Sequence, residues 1–180
     1  MMVAVPATLH DARDAEFCSI FRAHYGYVCH TLLRLGVREA DVEDQAHELF
    51  LAVHRQLDSY DDTRPLRPWL FGFAVRAASA YRRLARHHQE VRSEDEIGSR
   101  VPAADTENET HARRLVLEAI GAIGDLGRRS VFVLHELDGF SVPEVATALG
   151  IPLNTAYSRL RVARQEFRRA VLRLESEVEA

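Results

Sequence analysis

The feature that most constrains this chain is its hydrophobic spacing. Apolar residues recur at steps of three and four almost throughout, and the two-residue alternation of a half-buried strand is missing almost everywhere. From about Arg13 to Leu35, Phe17, Ile20, Phe21, His24, Tyr25, Val28, Leu32 and Leu35 form one helical stripe, and Gly36 stands where a helix-ending glycine belongs. A second helix is expected from about Glu39 to Leu57. It has Val42, Ala46, Leu49, Phe50, Val53 and Leu57 inside, and Asp41, Glu43, Asp44, His47, Glu48 and Arg55 off the stripe. After a turn-rich stretch over 58–68, Trp69 opens a third long helix with Leu70, Phe73, Ala74, Ala77, Tyr81 and Leu84 on one face. Three amphipathic helices of this length can enclose one core.

The periodicity breaks once. Between about Ser93 and Thr110 the residues are mostly acidic, small or helix-breaking, the composition of a mobile tether. Helical spacing resumes with Leu115, Val116, Ala119, Ile120 and Ile123, then Val131, Phe132, Leu134 and Leu137. The expected architecture is therefore all-α: two small helical domains, 10–92 and 112–174, joined by a flexible acidic linker over 93–111. A length of 180 residues suits one domain or two small ones.

Residues 139–169 carry the most information. Ser141 and Glu144 have capping-box spacing, and Pro143 falls in the first turn, where its missing N–H does no harm. Val145, Ala146 and Leu149 make a short apolar face, and Gly150 ends that helix. Asn154 or Thr155 can then cap a second helix whose inner face is Ala156, Leu160, Ala163 and Phe167. Short helix, glycine turn and longer polar-faced helix is the helix-turn-helix layout. The outer face of the second helix presents Asn154, Tyr157, Ser158, Arg161 and Gln165, types able to hydrogen-bond base edges. Arg159, Arg164, Arg168 and Arg169 lie beside and beyond them, suited to phosphates.

The formal charge of −4 excludes a wholly basic nucleic-acid coat, but it conceals opposite segments. Residues 154–174 hold six Arg against one Glu, and residues 64–92 seven Arg against one Glu. Residues 10–58 hold five Arg against nine acids, and 93–127 three Arg against eight acids. Two basic stretches imply a ligand long enough to reach both. Every one of the 23 basic residues is arginine, which a GC-rich coding sequence explains as well as function does. No apolar run approaches the ~20 residues of a membrane span. The start of the sequence lacks the basic region of a signal peptide. Cys18 and Cys29, with no CxxC, read as buried free thiols of a reducing cytoplasm. There is no glycine-rich phosphate loop or nucleophile motif, so an enzyme is not expected, and no cofactor is implied. Asp44, His47 and Glu48 share metal-ligand spacing but lack a fourth donor nearby, so no metal is expected.

From about Phe17 to Leu172 the residues resemble the extracytoplasmic-function sigma factors of bacterial RNA polymerase. Asp41-Val-Glu-Asp-Gln-Ala-His-Glu-Leu-Phe50 resembles that family's acidic helix; Pro68-Trp69-Leu70-Phe71 with Arg82-Arg83 resembles its promoter-opening segment. Leu126–Leu134 and Asn154-Thr-Ala-Tyr-Ser-Arg-Leu160 with Ala163-Arg164 resemble its C-terminal domain. The resemblance implies that Asp41, Glu43, Asp44, His47 and Glu48 dock on the β′ clamp of core polymerase, with the β flap as a further contact. It implies that Arg64, Arg67, Trp69, Arg76, Arg82, Arg83 and Arg86 handle the −10 element. It likewise implies that Asn154, Thr155, Tyr157, Ser158, Arg161, Arg164 and Arg168 read the −35 element. An anti-sigma factor is an expected partner, alongside promoter DNA. The chain departs from the family pattern at His47, Arg76, Ala80 and Asn154-Thr155-Ala156. Trp69, Phe71, Phe73 and Tyr81 among arginines suit a surface holding unstacked bases. Core packing is the plainer reading for Phe73 and Tyr81, and Trp69 fits either. Two rival functions stand beside this one: a stand-alone helix-turn-helix regulator, and a sigma-like decoy for an anti-sigma factor.

Overall fold

The computed structural model describes the backbone of residues 7–91 and 107–178 and the side chains of 13–85 and 112–176. The described residues are helical with no strand. Helix α1 runs Ala7–Leu35, α2 Glu39–Gln56 with a 3-10 turn over Leu57–Ser59, and α3 Leu66–Val91. Helix α4 runs Glu107–Gly121 and α5 Leu126–Phe132, which widens into a π turn over Val133–Leu137. Helices α6, Val142–Leu149, and α7, Leu153–Val178, complete the order. The linker expected over 93–111 lies outside the described residues as far as 106, and α4 begins at Glu107.

The first stripe places Val28, Leu32 and Leu35 in the core, and the six residues of the second stripe, Val42, Ala46, Leu49, Phe50 and Val53 of α2 with Leu57 just after it, are buried. Helix α1 ends where Gly36 takes φ +96°, with Gly36 and Val37 N–H donating to Leu33 and Leu32 O. A Cβ at position 36 would also stand 2.6 Å from Nη1 of Arg129, so a substitution there would displace that guanidinium as well. Helix α3 begins three residues before Trp69. Pro68 sits inside its first turn, where the missing N–H has no partner to lose.

Two expectations for α3 are corrected. Leu84 is 59 % exposed, and Phe71, read as part of a base-holding surface, is fully buried. The reason is that α3 is packed from two sides. Helices α1 and α2 cover one flank while α5 and α6 cover another, so the buried arc shifts and widens toward Phe71 and Ala78. A third correction concerns Cys18, which is exposed because it stands one residue off the Phe17–Phe21 stripe; Cys29 is half-buried.

The two helical units, α1–α3 and α4–α7, press together, and one continuous core runs through both, from Ile20 to Ala163. A polar cluster lies in the seam. Tyr27 donates from its hydroxyl to Asp138 Oδ2 at 2.8 Å, and Arg34 Nη1 reaches Asp138 Oδ1 at 3.3 Å. The Asp138 side chain is only 5 % exposed. Burial raises its pKa above the ordinary carboxylate value, against the opposing pull of Tyr27, Arg34 and Arg67. Nearby, buried Arg129 donates Nε to Ile123 O at 3.0 Å and Nη2 to Gly121 O at 2.5 Å, closing the C-terminal end of α4. Burial, with Arg82 beside it, pushes its pKa down to about 10.

Candidate nucleic-acid interface

The helix-turn-helix forms as its local chemistry dictates. Glu144 Oε2 accepts from the Ser141 N–H at 2.8 Å and from its hydroxyl at 2.6 Å. Gly150 takes φ +63°, and Ile151 N–H reaches back to Ala146 O at 3.0 Å. Helix α7 then starts at Leu153, with Ala156 N–H donating to Pro152 O at 3.0 Å. Pro152, not Asn154 or Thr155, thus holds the capping position. Its carbonyl accepts the first helical bond and its locked φ sets the chain direction, so the two polar residues fall inside the first turn.

Ala156, Leu160 and Ala163 are buried and pin α7 to α5 and α6, which fixes what faces outward. Asn154, Tyr157, Ser158, Arg161, Arg164, Gln165 and Arg168 are exposed, and Thr155 is half-buried. A shallow groove is lined by Tyr157, Leu160, Arg161, Arg164, Gln165 and Arg168. Arg164 donates Nε to Glu136 Oε1 at 2.5 Å. Arg159, expected beside these residues, turns inward instead: a Cβ on Gly127 would stand 2.9 Å from its Nη1. Arg128 and Glu166 form a two-pronged ion pair at 3.1 and 3.2 Å on the inner side.

The basic stretch of α3 is arranged differently. Arg64 pairs with Asp61 at 3.2 Å, and the Arg67 guanidinium lies 5.1 Å over the Tyr27 ring. Arg76 lies 4.4 Å over the Phe73 ring, and Arg82 Nη2 donates to Gly124 O at 3.0 Å across the seam. Arg83 is exposed, and the side chain of Arg86 lies outside the described residues. Trp69 is half-buried between Tyr60 and Phe73, each at 4.8 Å between ring centroids. Phe73 is buried, and Tyr81 is half-buried with its hydroxyl on Asp41 Oδ2.

That last contact separates Asp41 from the other acids of α2. Tyr81 first, then Arg38, hold its carboxyl below the usual range, so Asp41 ties α2 to α3. Glu43, Asp44, His47 and Glu48 stand exposed on the outer face. Among the described residues no three His, Cys, Asp or Glu side chains cluster closely enough to hold a metal ion, and no helix is long and apolar enough to cross a membrane.

Sequence reasoning missed Tyr27, Arg34, Arg129, Glu136 and Asp138. Only Glu136 and Asp138 had a signal, as carboxylates just before a helix-turn-helix, and the π turn that aims them leaves no mark in the apolar spacing.

Comparison with known proteins agrees with this organisation. The Sigma-70 region 2 model matches residues 20–88 and the Sigma-70, region 4 model residues 126–167. The sigma factor CnrH of Cupriavidus metallidurans is 31 % identical over 138 residues, 72 % of each chain. The ECF sigma factor SigL of Mycobacterium tuberculosis is 31 % identical over 156 residues, 84 % of this chain and 86 % of the relative. The solved structure of CnrH with the cytosolic domain of CnrY superposes with a TM-score of 0.58, at 26 % identity and covering 86 % of both chains. The sigma factor RpoE of Bartonella quintana, solved with the anti-sigma factor NepR, gives 0.65 at 18 % identity, covering 87 % of this chain and 96 % of that one; it attests the fold alone. The chain belongs to the extracytoplasmic-function family of RNA polymerase sigma factors, transcription initiation factors that bind the polymerase and direct it to specific promoters.

Proposed function

We propose that the outer face of α7 reads the −35 element, that α3 and the turn before it handle the −10 element, and that the exposed acids of α2 dock on core polymerase. The observation that carries this reading is the α7 face itself: three arginines around Tyr157, exposed, on a helix whose opposite side is locked into a helix-turn-helix. Such a helix enters a major groove, where arginine meets guanine and phosphate alike. For α2, Glu43, Asp44 and Glu48 with His47 form the accessible set, and Asp41 acts as the tie behind them. For α3, Trp69 is the aromatic assigned to a base: it is half-buried at the helix start, Phe71 and Phe73 are buried, and the Tyr81 hydroxyl is held by Asp41.

In this reading the chain performs no catalysis of its own and works in the cytoplasm, where polymerase and promoter are. The functional segments are 10–92 and 112–174, with 93–111 between them. Relatives of this fold are solved with CnrY and with the anti-sigma factor NepR, which supports an anti-sigma protein as the regulating partner here too.

A gel shift on promoter DNA with and without core polymerase tests the reading. A shift only with core is expected; a shift without it favours a stand-alone regulator, and none in either case favours a decoy. Arg161→Ala or Tyr157→Ala should weaken promoter binding by about 1–3 kcal/mol while core binding holds. Asp44→Arg should do the reverse, lowering capture of core enzyme in a pull-down; capture at the wild-type level would refute the α2 assignment.

A further inference from the structure

We propose that Glu136 is a positioning residue for promoter recognition, holding Arg164 so that its two terminal amino groups face the DNA. The proposal rests on the reading of α7 as the promoter-reading helix. Glu136 lies on the π turn that ends α5, 28 residues before its partner, and its Oε1 accepts from Arg164 Nε at 2.5 Å. A π turn inserts one extra residue into the helical register and rotates the residues after it by roughly 100° relative to a regular helix. Glu136 stands within that turn, and its carboxylate meets Arg164 of α7.

The choice of nitrogen matters. Guanidinium carries five N–H donors in a fixed fork: one on Nε and four on the two Nη atoms. A carboxylate on the Nη pair would occupy the donors that bidentate recognition needs; at either position it offsets the delocalised charge. A carboxylate on Nε leaves the Nη pair open, and among the described residues that pair has no other hydrogen bond. Arg164 lines the same groove as Tyr157, Arg161, Gln165 and Arg168, so the open edge belongs to the reading face. An Nη pair meets two acceptors at once, as O6 and N7 of guanine or as two phosphate oxygens. Fixing the side chain beforehand removes part of the ordering that binding otherwise requires.

The test uses holoenzyme assembled from core polymerase and the full chain. The probes are a duplex enriched from a random pool by the wild-type holoenzyme and a scrambled duplex, titrated over roughly 50–200 mM salt. E136A should lower the preference for the enriched duplex by roughly threefold to tenfold, a part of the roughly 5- to 150-fold of one good base contact, and leave the scrambled duplex nearly unaffected. E136D should restore most of the preference, and E136A/R164A should behave as R164A alone. If R164A relaxes a single base pair, the acceptors are guanine atoms, the case to which these E136A values apply; if instead it reduces the salt slope by about one, they are phosphate oxygens, and E136A should then weaken both duplexes alike. Tighter binding of the scrambled duplex by E136A would mean that Glu136 competes with DNA, and would overturn the proposal. So would a loss in the double variant equal to the sum of the two single losses. An enriched duplex insensitive to R161A would instead overturn the reading of α7 itself. Circular-dichroism melts of E136A and E136Q matching wild type exclude a folding defect.

Discussion

The two arginine-rich helices use one residue type in opposite ways. On α7, Arg161, Arg164 and Arg168 stand around an exposed tyrosine, and the one carboxylate beside them takes only an Nε. On α3 and in the turn before it, Arg64, Arg67, Arg76 and Arg82 already meet a carboxylate, two rings and a carbonyl of the protein itself. The cause is packing. Helix α7 is covered on one side only, whereas α3 is covered by helices of both units, so its arginine stems lie along the boundaries of a wider core. Equal local charge therefore does not mean equal availability. On the proposed reading the α7 face is ready for a duplex, whereas Arg64, Arg67, Arg76 and Arg82 have partners to release before they reach one.

The sharpest way to break this contrast is to separate the aromatics of α3. Phe71 is fully buried, so Phe71→Ala should cost about 3–5 kcal/mol and be read as a large drop in the urea midpoint. Trp69, half-buried against Tyr60 and Phe73, should behave differently. Trp69→Ala is expected to retain most of the stability and to lose promoter opening, followed by permanganate reactivity of the melted bases. Equal stability losses with normal opening would return Trp69 to the core.

The next effect lies in the seam. Asp138→Asn weakens the acceptor for Tyr27 and Arg34 in a buried site, and should cost about 1–3 kcal/mol. Its pH dependence has a definite sign. The folded carboxyl has the higher pKa, so the folded chain binds more protons between the unfolded and folded values. The contribution of Asp138 is full below the unfolded value and falls away as pH rises through the folded one. Asp138→Asn should therefore flatten the stability profile in the weakly acidic range; an unchanged slope there would show that the seam is solvated. Asp41 has the opposite shift, because Tyr81 and Arg38 favour its charged form, so its contribution is present above the unfolded value and lost as pH falls through the folded one.

Much of this was legible in the residues. Stripes such as Val42, Ala46, Leu49 and Phe50 report their own burial, because a helix face is set by spacing within the helix. The capping box at Ser141 and Glu144 and the left-handed turn at Gly150 are local chemistry too, and both form where expected. What escaped depends on distant neighbours. Phe71 and Leu84 exchanged places because a second unit packs on α3, and no property of α3 alone announces that. Tyr27 and Asp138 meet across 111 residues of sequence. Arg159 and Arg161, two positions apart, face protein and solvent respectively, a distinction that charge counting cannot make.

The smallest expected effect tests how firmly the α3 arginines are committed. Arg76 rests on the Phe73 ring and is exposed, with no carboxylate among its contacts with the described residues. An exposed cation–π contact is worth about 0.5–1 kcal/mol, so Arg76→Ala should lower stability by no more than that. The same contact sets what promoter binding must give up to use this residue. Arg161 makes no such contact with the protein among those described, so on the proposed reading its whole interaction with DNA would appear as affinity. Arg76 yields only the difference between a phosphate and a ring. In holoenzyme titrations across salt, Arg76→Ala should accordingly weaken binding less than Arg161→Ala does, even where both reduce the salt slope. Were the two losses equal, the ring contact would be too weak to hold the guanidinium in solution. The contrast between the two helices would then reduce to a difference in burial, without a difference in readiness.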